Sequence, residues 1–340
     1  MTHIRIAKKV PPAFSLDVEF DINGVTALFG PAGAGKTLIL EAVAGFARPD
    51  SGRILRDNVL LFDAEARVSV PARRRGCGYL PQRDALFPHM TVRQNLAFAA
   101  SGGRLERHRR VAEAIEKFGF AEAALRRPAE LDAAQRTRAA VARALIAGPK
   151  LLLLDEPEFP EALFHQMRAE FTGPVLLATR DLDRCAALAD QMLVLDAGRV
   201  VRRGTPREVL DEPESVAVAR LLRIPNLFEC TIAGLDPGRG SSRLESELFQ
   251  LTGPYLPGHF RGDRVWISIR PERVRIHSAG VAAIINAVRA KLVRVSQRAE
   301  AVRLEFGGGI FADLSPEEYA RQKDNKEWQV ELPPDALRVL

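Results

Sequence analysis

The segment Gly30-Pro31-Ala32-Gly33-Ala34-Gly35-Lys36-Thr37 fits the pattern G-x-x-x-x-G-K-[ST]. An apolar run at 25–29 leads into it and a helix-period run at 38–44 leads out. That strand–loop–helix setting separates it from a chance glycine-rich turn and commits this part of the chain to an α/β fold. Gly33 and Gly35 let the backbone wrap a polyphosphate, with successive N–H groups pointing inward at a helix N-terminus. Lys36 is expected to reach the β- and γ-phosphates, and the Thr37 hydroxyl to ligate Mg²⁺.

A second signal is Leu151-Leu152-Leu153-Leu154-Asp155-Glu156-Pro157. A buried apolar strand delivers two carboxylates at its C-terminal end, where ligands of parallel sheets bind. Asp155 is expected in the Mg²⁺ shell, and Glu156 as the general base acting on water. An isolated acidic turn would explain these residues alone, but not alongside the upstream phosphate loop.

Residues 1–205 alternate strand and helix patterns, with strands expected at 14–20, 25–29, 78–80, 151–155, 174–179 and 191–196. A helical stretch, about 91–147, interrupts them, and two short helices are expected within 205–222. Past Ile224-Pro225 the character changes. Gly, Pro and Ser cluster at 234–242 and 252–262, followed by short β-type runs at 265–269, 281–295, 302–306, 310–314 and 328–332. The expected division is therefore a first domain, 1–225, and a second, 226–340. The second would hold a linker-like start and a compact small barrel from about 262. No internal repeat is evident.

The chain of 340 residues is 46% hydrophobic and 27% charged, ordinary for a globular protein with a sizeable core. No apolar run approaches the length of a membrane span, and the first residues lack a signal peptide's apolar stretch. Cys77, Cys185 and Cys230 are scattered, which argues against a disulfide framework or zinc site and for a reducing cytosol. The net charge of +6 comes from dispersed arginines without interleaved aromatics, so no nucleic-acid partner is expected.

Between the two signals, 79–96 contains Gln82 and then Leu86-Phe87-Pro88-His89-Met90-Thr91-Val92. This stretch resembles the Q-loop of ABC-transporter ATPases. Together with Gly24–Gly30, 286–291 and 302–306, the chain resembles the ATP-binding subunit of molybdate importers. The resemblance implies an ABC-type nucleotide-binding domain with a helical subdomain, then an OB-like β-barrel that binds oxyanions such as molybdate or tungstate. It implies Mg-ATP hydrolysis by a homodimer or heterodimer of nucleotide-binding domains. It also implies an integral-membrane permease as partner, on the cytoplasmic face of the inner membrane. By the same resemblance Gln82 senses Mg²⁺ and the attacking water, and the residues after it dock the permease.

Three departures fall on the hydrolytic machinery. The family's Leu-Ser-Gly-Gly-Gln signature reads Leu131-Asp132-Ala133-Ala134-Gln135 here. Asp132 would face the γ-phosphate on the partner domain, and two like unit charges ~5 Å apart cost roughly 3 kcal/mol at an effective dielectric of ~20. Asp132-x-x-Gln135 instead reads as a capping box that satisfies its own helix. Arg180 replaces the switch histidine. It could touch a γ-phosphate, as arginine fingers do, or pair with Asp181 or Glu156. The family's Ser-Ala-Leu-Asp loop is replaced by Glu158-Phe159-Pro160-Glu161-Ala162-Leu163. Two functions stay open: an importer subunit with weakened hydrolysis, or an ATP-binding regulator that no longer powers transport. Phe14 is expected to pack in the core rather than against adenine. In the oxyanion-binding motif Asn286 remains while Ala283 stands for serine, leaving Ser278 and Lys291 as candidate contacts.

Overall fold

The computed structural model describes residues 1–82, 86–278, 284–298, 301–323 and 328–340. Chain contacts divide it into two units, Met1–Asp211 and Glu212–Leu340. Among the described residues, the strands form five sheets, two in the first unit and three in the second.

The first unit's smaller sheet contains β1 (Thr2–Val10), β2 (Phe14–Ile22), β4 (Ser51–Arg56), β5 (Val59–Asp63) and β6 (Val68–Ser69), in the order β2-β1-β4-β5-β6. Its larger sheet contains β3 (Val25–Phe29), β7 (Cys77–Leu80), β8 (Leu151–Asp155), β9 (Val175–Thr179), β10 (Gln191–Asp196) and β11 (Arg199–Gly204). The order is β11-β10-β3-β9-β8-β7, parallel except for the β10–β11 hairpin. Strands β3, β8 and β9 are buried at every residue, as expected when both faces of a parallel sheet are covered. Along β8, Leu151 and Leu153 join one core, with α1 (Lys36–Ala44) and strands β1 and β2. Leu152 and Leu154 join the other, with α2 (Val92–Ala99), α3 (Arg104–Lys117), α4 (Ala133–Ile146) and α5 (Glu161–Glu170). Helices α6 (Leu182–Leu188) and α7 (Pro206–Asp211) complete this unit.

The second unit starts with α8 (Val216–Leu221), so the division precedes the composition change near 225 that marked it in the sequence. The stretch read as linker-like carries strands instead: β12 (Leu227–Asp236), β13 (Ser241–Glu245) and β14 (Gln250–Pro254). Then come β15 (Arg264–Ser268), β16 (Arg275–Ser278), β17 (Ala287–Ala290), β18 (Leu292–Gln297), β19 (Val302–Phe306) and β20 (Ile310–Leu314). Helix α9 (Pro316–Gln322), β21 (Trp328–Glu331) and β22 (Arg338–Val339) end the chain. This unit is the β-rich, OB-like part of the fold.

Its strand registers reveal an internal duplication that the sequence reading missed. Ile267 faces Val339 and Ser268 faces Arg338; in the other half Val330 faces Ile276 and Glu331 faces Arg275. Leu227 faces Ser268 as Ala287 faces Glu331. Corresponding ladders even share a bulge, at Ile232/Gly234 and at Leu292/Arg294. Each half lends its last short strand to the other half's sheet. The matching sequence is brief, Ile269-Arg270-Pro271-Glu272-Arg273-Val274-Arg275 against Leu332-Pro333-Pro334-Asp335-Ala336-Leu337-Arg338, which is why it escapes inspection.

Two asparagines clamp the halves reciprocally. Asn226, at φ 57°, accepts from Phe311 N at 2.6 Å and donates to Phe311 O at 2.8 Å. Asn286, at φ 62°, accepts from Thr252 N at 2.6 Å and donates to the carbonyls of Thr252 and Leu332 at 2.8 and 2.9 Å. Asparagine suits both needs, since it tolerates the left-handed region and its amide mimics a backbone partner. Asn226→Ala and Asn286→Ala should each destabilise this unit by about 1–3 kcal/mol, through buried backbone groups left unpaired. Both tryptophans, Trp266 and Trp328, lie in this unit, so denaturant unfolding followed by tryptophan fluorescence reads it selectively.

Candidate functional site

Parallel pairing alone assembles most of the site. Phe29 lies opposite Thr179, and Ala178 opposite Asp155. The residues that follow, Gly30, Arg180 and Glu156, therefore emerge beyond the same sheet edge, where β3 is flanked by β9 and β10. Ligands of open α/β sheets bind at such an edge.

The loop 30–37 has the backbone the motif needs. Gly33 and Gly35 have φ of 79° and 101°, and Gly35 is the N-cap of α1. Among the described residues, the N–H groups of Lys36 and Thr37 have no hydrogen-bond acceptor, so the first turn of α1 offers free donors. At Gly30 a Cβ would lie 2.4 Å from the Leu195 carbonyl oxygen. At Gly35 it would lie 2.9 Å from Phe14 Cζ and from Leu16 Cδ1. Phe14 is thus half-buried against the core, with its ring edge against the loop.

Lys36 is 4% exposed and folds over the loop. Its Nζ donates to the carbonyls of Gly30 and Pro31 at 2.7 and 2.9 Å. The same Nζ lies 3.4 Å from Glu156 Oε1. Burial lowers its pKa, opposed by the charge of Glu156. Thr37 Oγ1 donates to Asp155 Oδ1 at 3.1 Å, and the Tyr79 hydroxyl to Asp155 Oδ2 at 3.3 Å. Burial raises the Asp155 pKa, while those two donors pull it back. Burial likewise pushes the Tyr79 hydroxyl upward, so it stays a donor. Thr37 and Asp155 form a compact pair of hard oxygen donors, which fits Mg²⁺.

Glu156 has a positive φ, 43°, and is held between two cations. Arg180 Nε donates to its Oε2 at 2.8 Å, and Arg180 Nη2 lies 2.6 Å from the same oxygen. Of the two carboxylates open to Arg180 in the sequence, Glu156 is the one it grips. Asp181 caps α6 instead, its Oδ1 accepting from the N–H groups of Asp183 and Arg184. Arg184 also donates to the carbonyls of Pro157 and Phe159, fixing the replaced loop, and Phe159 is buried.

Gln82 is not gathered into this group. It is exposed just beyond β7, and no hydrogen bond joins it to Thr37, Asp155 or Glu156 among the described residues. It lines a cavity of about 480 Å³ with Leu86, Arg136, Pro157 and Phe159. The capping box expected at the altered signature is present. Gln135 N donates to Asp132 Oδ1 at 2.7 Å, and Asp132 N to Gln135 Oε1 at 3.1 Å. Lys291 is exposed, whereas Ala283 and the Ser278 side chain lie outside the described residues. Tyr79 was missed as a site residue. Its reach to Asp155 depends on the β7–β8 register, Leu80 opposite Leu154, which no local pattern encodes.

A phosphate loop, a hard-donor pair and a carboxylate beyond one parallel-sheet edge define a P-loop nucleotide-binding protein. A family model described as ABC transporter matches residues 14–158. The molybdenum import ATP-binding protein ModC of Rhizobium etli is 35% identical over 298 residues, 83% of this chain and 79% of that one. The Fe(3+) ions import ATP-binding protein FbpC of Pseudomonas fluorescens is 37% identical over 281 residues, 78% and 75% of the two chains. Among solved structures, cbiO1 of Clostridium perfringens, part of the ABC transporter complex cbiONQ, superposes with a TM-score of 0.54. It is 26% identical and covers 66% of this chain and 96% of its own. The chain belongs to the ATP-binding proteins of ABC transporters.

Gly35→Ala tests the loop geometry. It forces a side chain into a left-handed backbone and against Phe14 and Leu16. Nucleotide affinity, measured by titration with a fluorescent ATP analogue, should fall by about fivefold or more, since strain of this kind costs about 1–3 kcal/mol. Tryptophan fluorescence from the second unit should stay unchanged.

Proposed function

We propose that this chain is the ATP-binding subunit of an importer for molybdate or a similar oxyanion such as tungstate. The observation that carries the ATP reading is the convergence of Lys36, Thr37, Asp155 and Glu156 beyond the edge of β3, β8 and β9. Lys36 and the first-turn N–H groups would bind the β- and γ-phosphates. Thr37 and Asp155 would hold Mg²⁺, which when bound neutralises charge on the phosphates. Glu156 would take a proton from the attacking water. Gln82, exposed beside the cavity at the N-terminal end of α4, would link this site to a permease.

The oxyanion reading rests on relatives that span both units, the first of them a molybdenum importer subunit. The iron(III) relative matches comparably, so uptake by the assembled transporter decides the ion. Both amide hydrogens of Asn286 already go to carbonyls, so an oxyanion on the second unit would meet exposed cations such as Lys291 instead. No helix is long and apolar enough to cross a membrane. Attachment to the cytoplasmic face of the inner membrane would run through the permease.

One observation favours the second reading, an ATP-binding regulator that no longer powers transport. The Asp132 carboxylate is committed to its own helix at the end meant for a partner's γ-phosphate. A homodimer would carry this defect in both composite sites; a partner with an intact signature would repair one.

Phosphate release from Mg-ATP by the purified protein should be slow, and Glu156→Gln should lower it by at least about 100-fold. Release unaffected by that change would remove Glu156 from the mechanism. Release absent altogether, with ATP still bound, would favour the regulator. Lys36→Ala should abolish Mg-ATP binding, and retained tight binding would displace the site. Restoring Asp132→Ser, Ala133→Gly and Ala134→Gly together should raise turnover or ATP-driven dimerisation. No change in either would clear the signature as the limiting defect.

A further inference from the structure

Strand β7 is seated without slack. At Gly78 a Cβ would lie 2.7 Å from Leu152 Cδ2 and 3.0 Å from the Ala144 carbonyl oxygen, so the strand's backbone rests directly on the core beneath it. The ladder with β8 sets Tyr79 level with Leu153. Asp155 lies two residues past Leu153 and shares its face of the sheet, the face that α1 covers. Backbone register alone therefore makes Tyr79 and Asp155 diagonal neighbours beneath the helix that carries Thr37. The Tyr79 hydroxyl spans the diagonal and donates to Asp155 Oδ2 at 3.3 Å. Its ring packs against the α1 core and meets Phe46 edge-on, with ring centroids 5.5 Å apart.

We infer that Tyr79 is a positioning residue for Asp155, and that its hydroxyl sets how tightly the site takes Mg²⁺. This rests on the reading of Thr37 and Asp155 as the metal pair. The terminal torsion of an aspartate is soft, so an unsupported carboxylate turns and offers either oxygen. A donor held on one oxygen stops that rotation and leaves the other directed at Thr37. A hydroxyl suits the task because it is neutral. A cation in its place would offset the charge that attracts a metal, and an apolar side chain would leave a largely buried oxygen without a donor. The rigid ring, held by the α1 core and Phe46, keeps the hydroxyl in place. The strand register, the seated glycine and the packed ring belong to the folded sheet and do not depend on a bound nucleotide.

The test is Tyr79→Phe in the full-length protein, which removes the hydroxyl and keeps a ring against Phe46. Binding of a fluorescent ATP analogue is titrated with Mg²⁺ and, separately, measured with the metal chelated. The Mg²⁺ concentration at half-saturation should rise by about tenfold or more, since loss of a partner that orients a metal ligand typically costs about 10–100-fold in metal affinity. Affinity for the analogue without metal should stay unchanged, which a general loosening of the pocket would not allow. An unaltered Mg²⁺ requirement would reduce Tyr79 to core packing and overturn the inference. Equal weakening with and without metal would also overturn it, because the substitution would then have disturbed the phosphate loop itself. If the unaltered protein binds the analogue with no dependence on Mg²⁺, the metal-pair reading itself falls, and the role of Tyr79 with it.

Discussion

The parallel register of β3, β8 and β9 is the constraint on which the site depends. No residue of the loop 30–37 contacts Asp155 or Glu156 by virtue of sequence; more than a hundred residues of chain separate them. They meet because Phe29 is level with Thr179 and Ala178 with Asp155. A shift of one residue in either ladder would turn the buried side chains to the opposite face, at the cost of both cores. The strands are apolar on both faces, so the fit of individual side chains into the two cores, rather than polar alternation, holds the register. The strain at Glu156, φ 43°, sits immediately past the end of β8, where the chain must turn away while its carboxylate stays over the loop. Positive φ in a non-glycine residue at such a place is tolerated because the surroundings fix it.

Charge inside this site is balanced rather than merely present. Lys36, nearly buried, would be costly without partners, and it has three. Asp155 has two neutral donors, Thr37 and Tyr79, and so remains a ligand-ready carboxylate without a competing cation bonded to it. Of these two carboxylates, Glu156 is the one paired with cations, Arg180 and Lys36. The difference between two adjacent carboxylates is thus set by their neighbours, one given hydroxyls and the other guanidinium, which is how one strand end can supply two chemical roles.

Much of this was legible in the sequence, and the parts that were not share a cause. The strands at 25–29, 151–155 and 191–196 could be read because continuous apolar runs bounded by turn residues signal buried parallel strands. The capping box at Asp132 could be read because all its parts lie within four residues. The strands β13 and β14 were taken for linker because Gly and Pro flank them, and pairing, not propensity, makes them strands. The duplication was hidden because a sheet needs only alternation on its inner face. Its two halves therefore keep register and bulges while their outward side chains diverge. Tyr79 and the choice of Glu156 by Arg180 depend on tertiary register alone.

Asp132 shows how a local gain can oppose a distant function. A side chain at an N-cap that accepts from the third helical N–H stabilises its helix by about 1 kcal/mol relative to alanine. Serine would do nearly the same, so helix stability does not require aspartate there. What aspartate adds is a negative charge at a helix end whose dipole and N–H groups would otherwise attract an anion. Within one chain that charge is harmless and even favourable. Across the dimer that the proposed function calls for, it would face the phosphate of the other copy. The substitution would therefore leave folding nearly unchanged and act on assembly. On the proposed function, a chain with this phosphate loop and an acidic signature would bind nucleotide by itself. It would close around that nucleotide most readily with a partner whose signature differs.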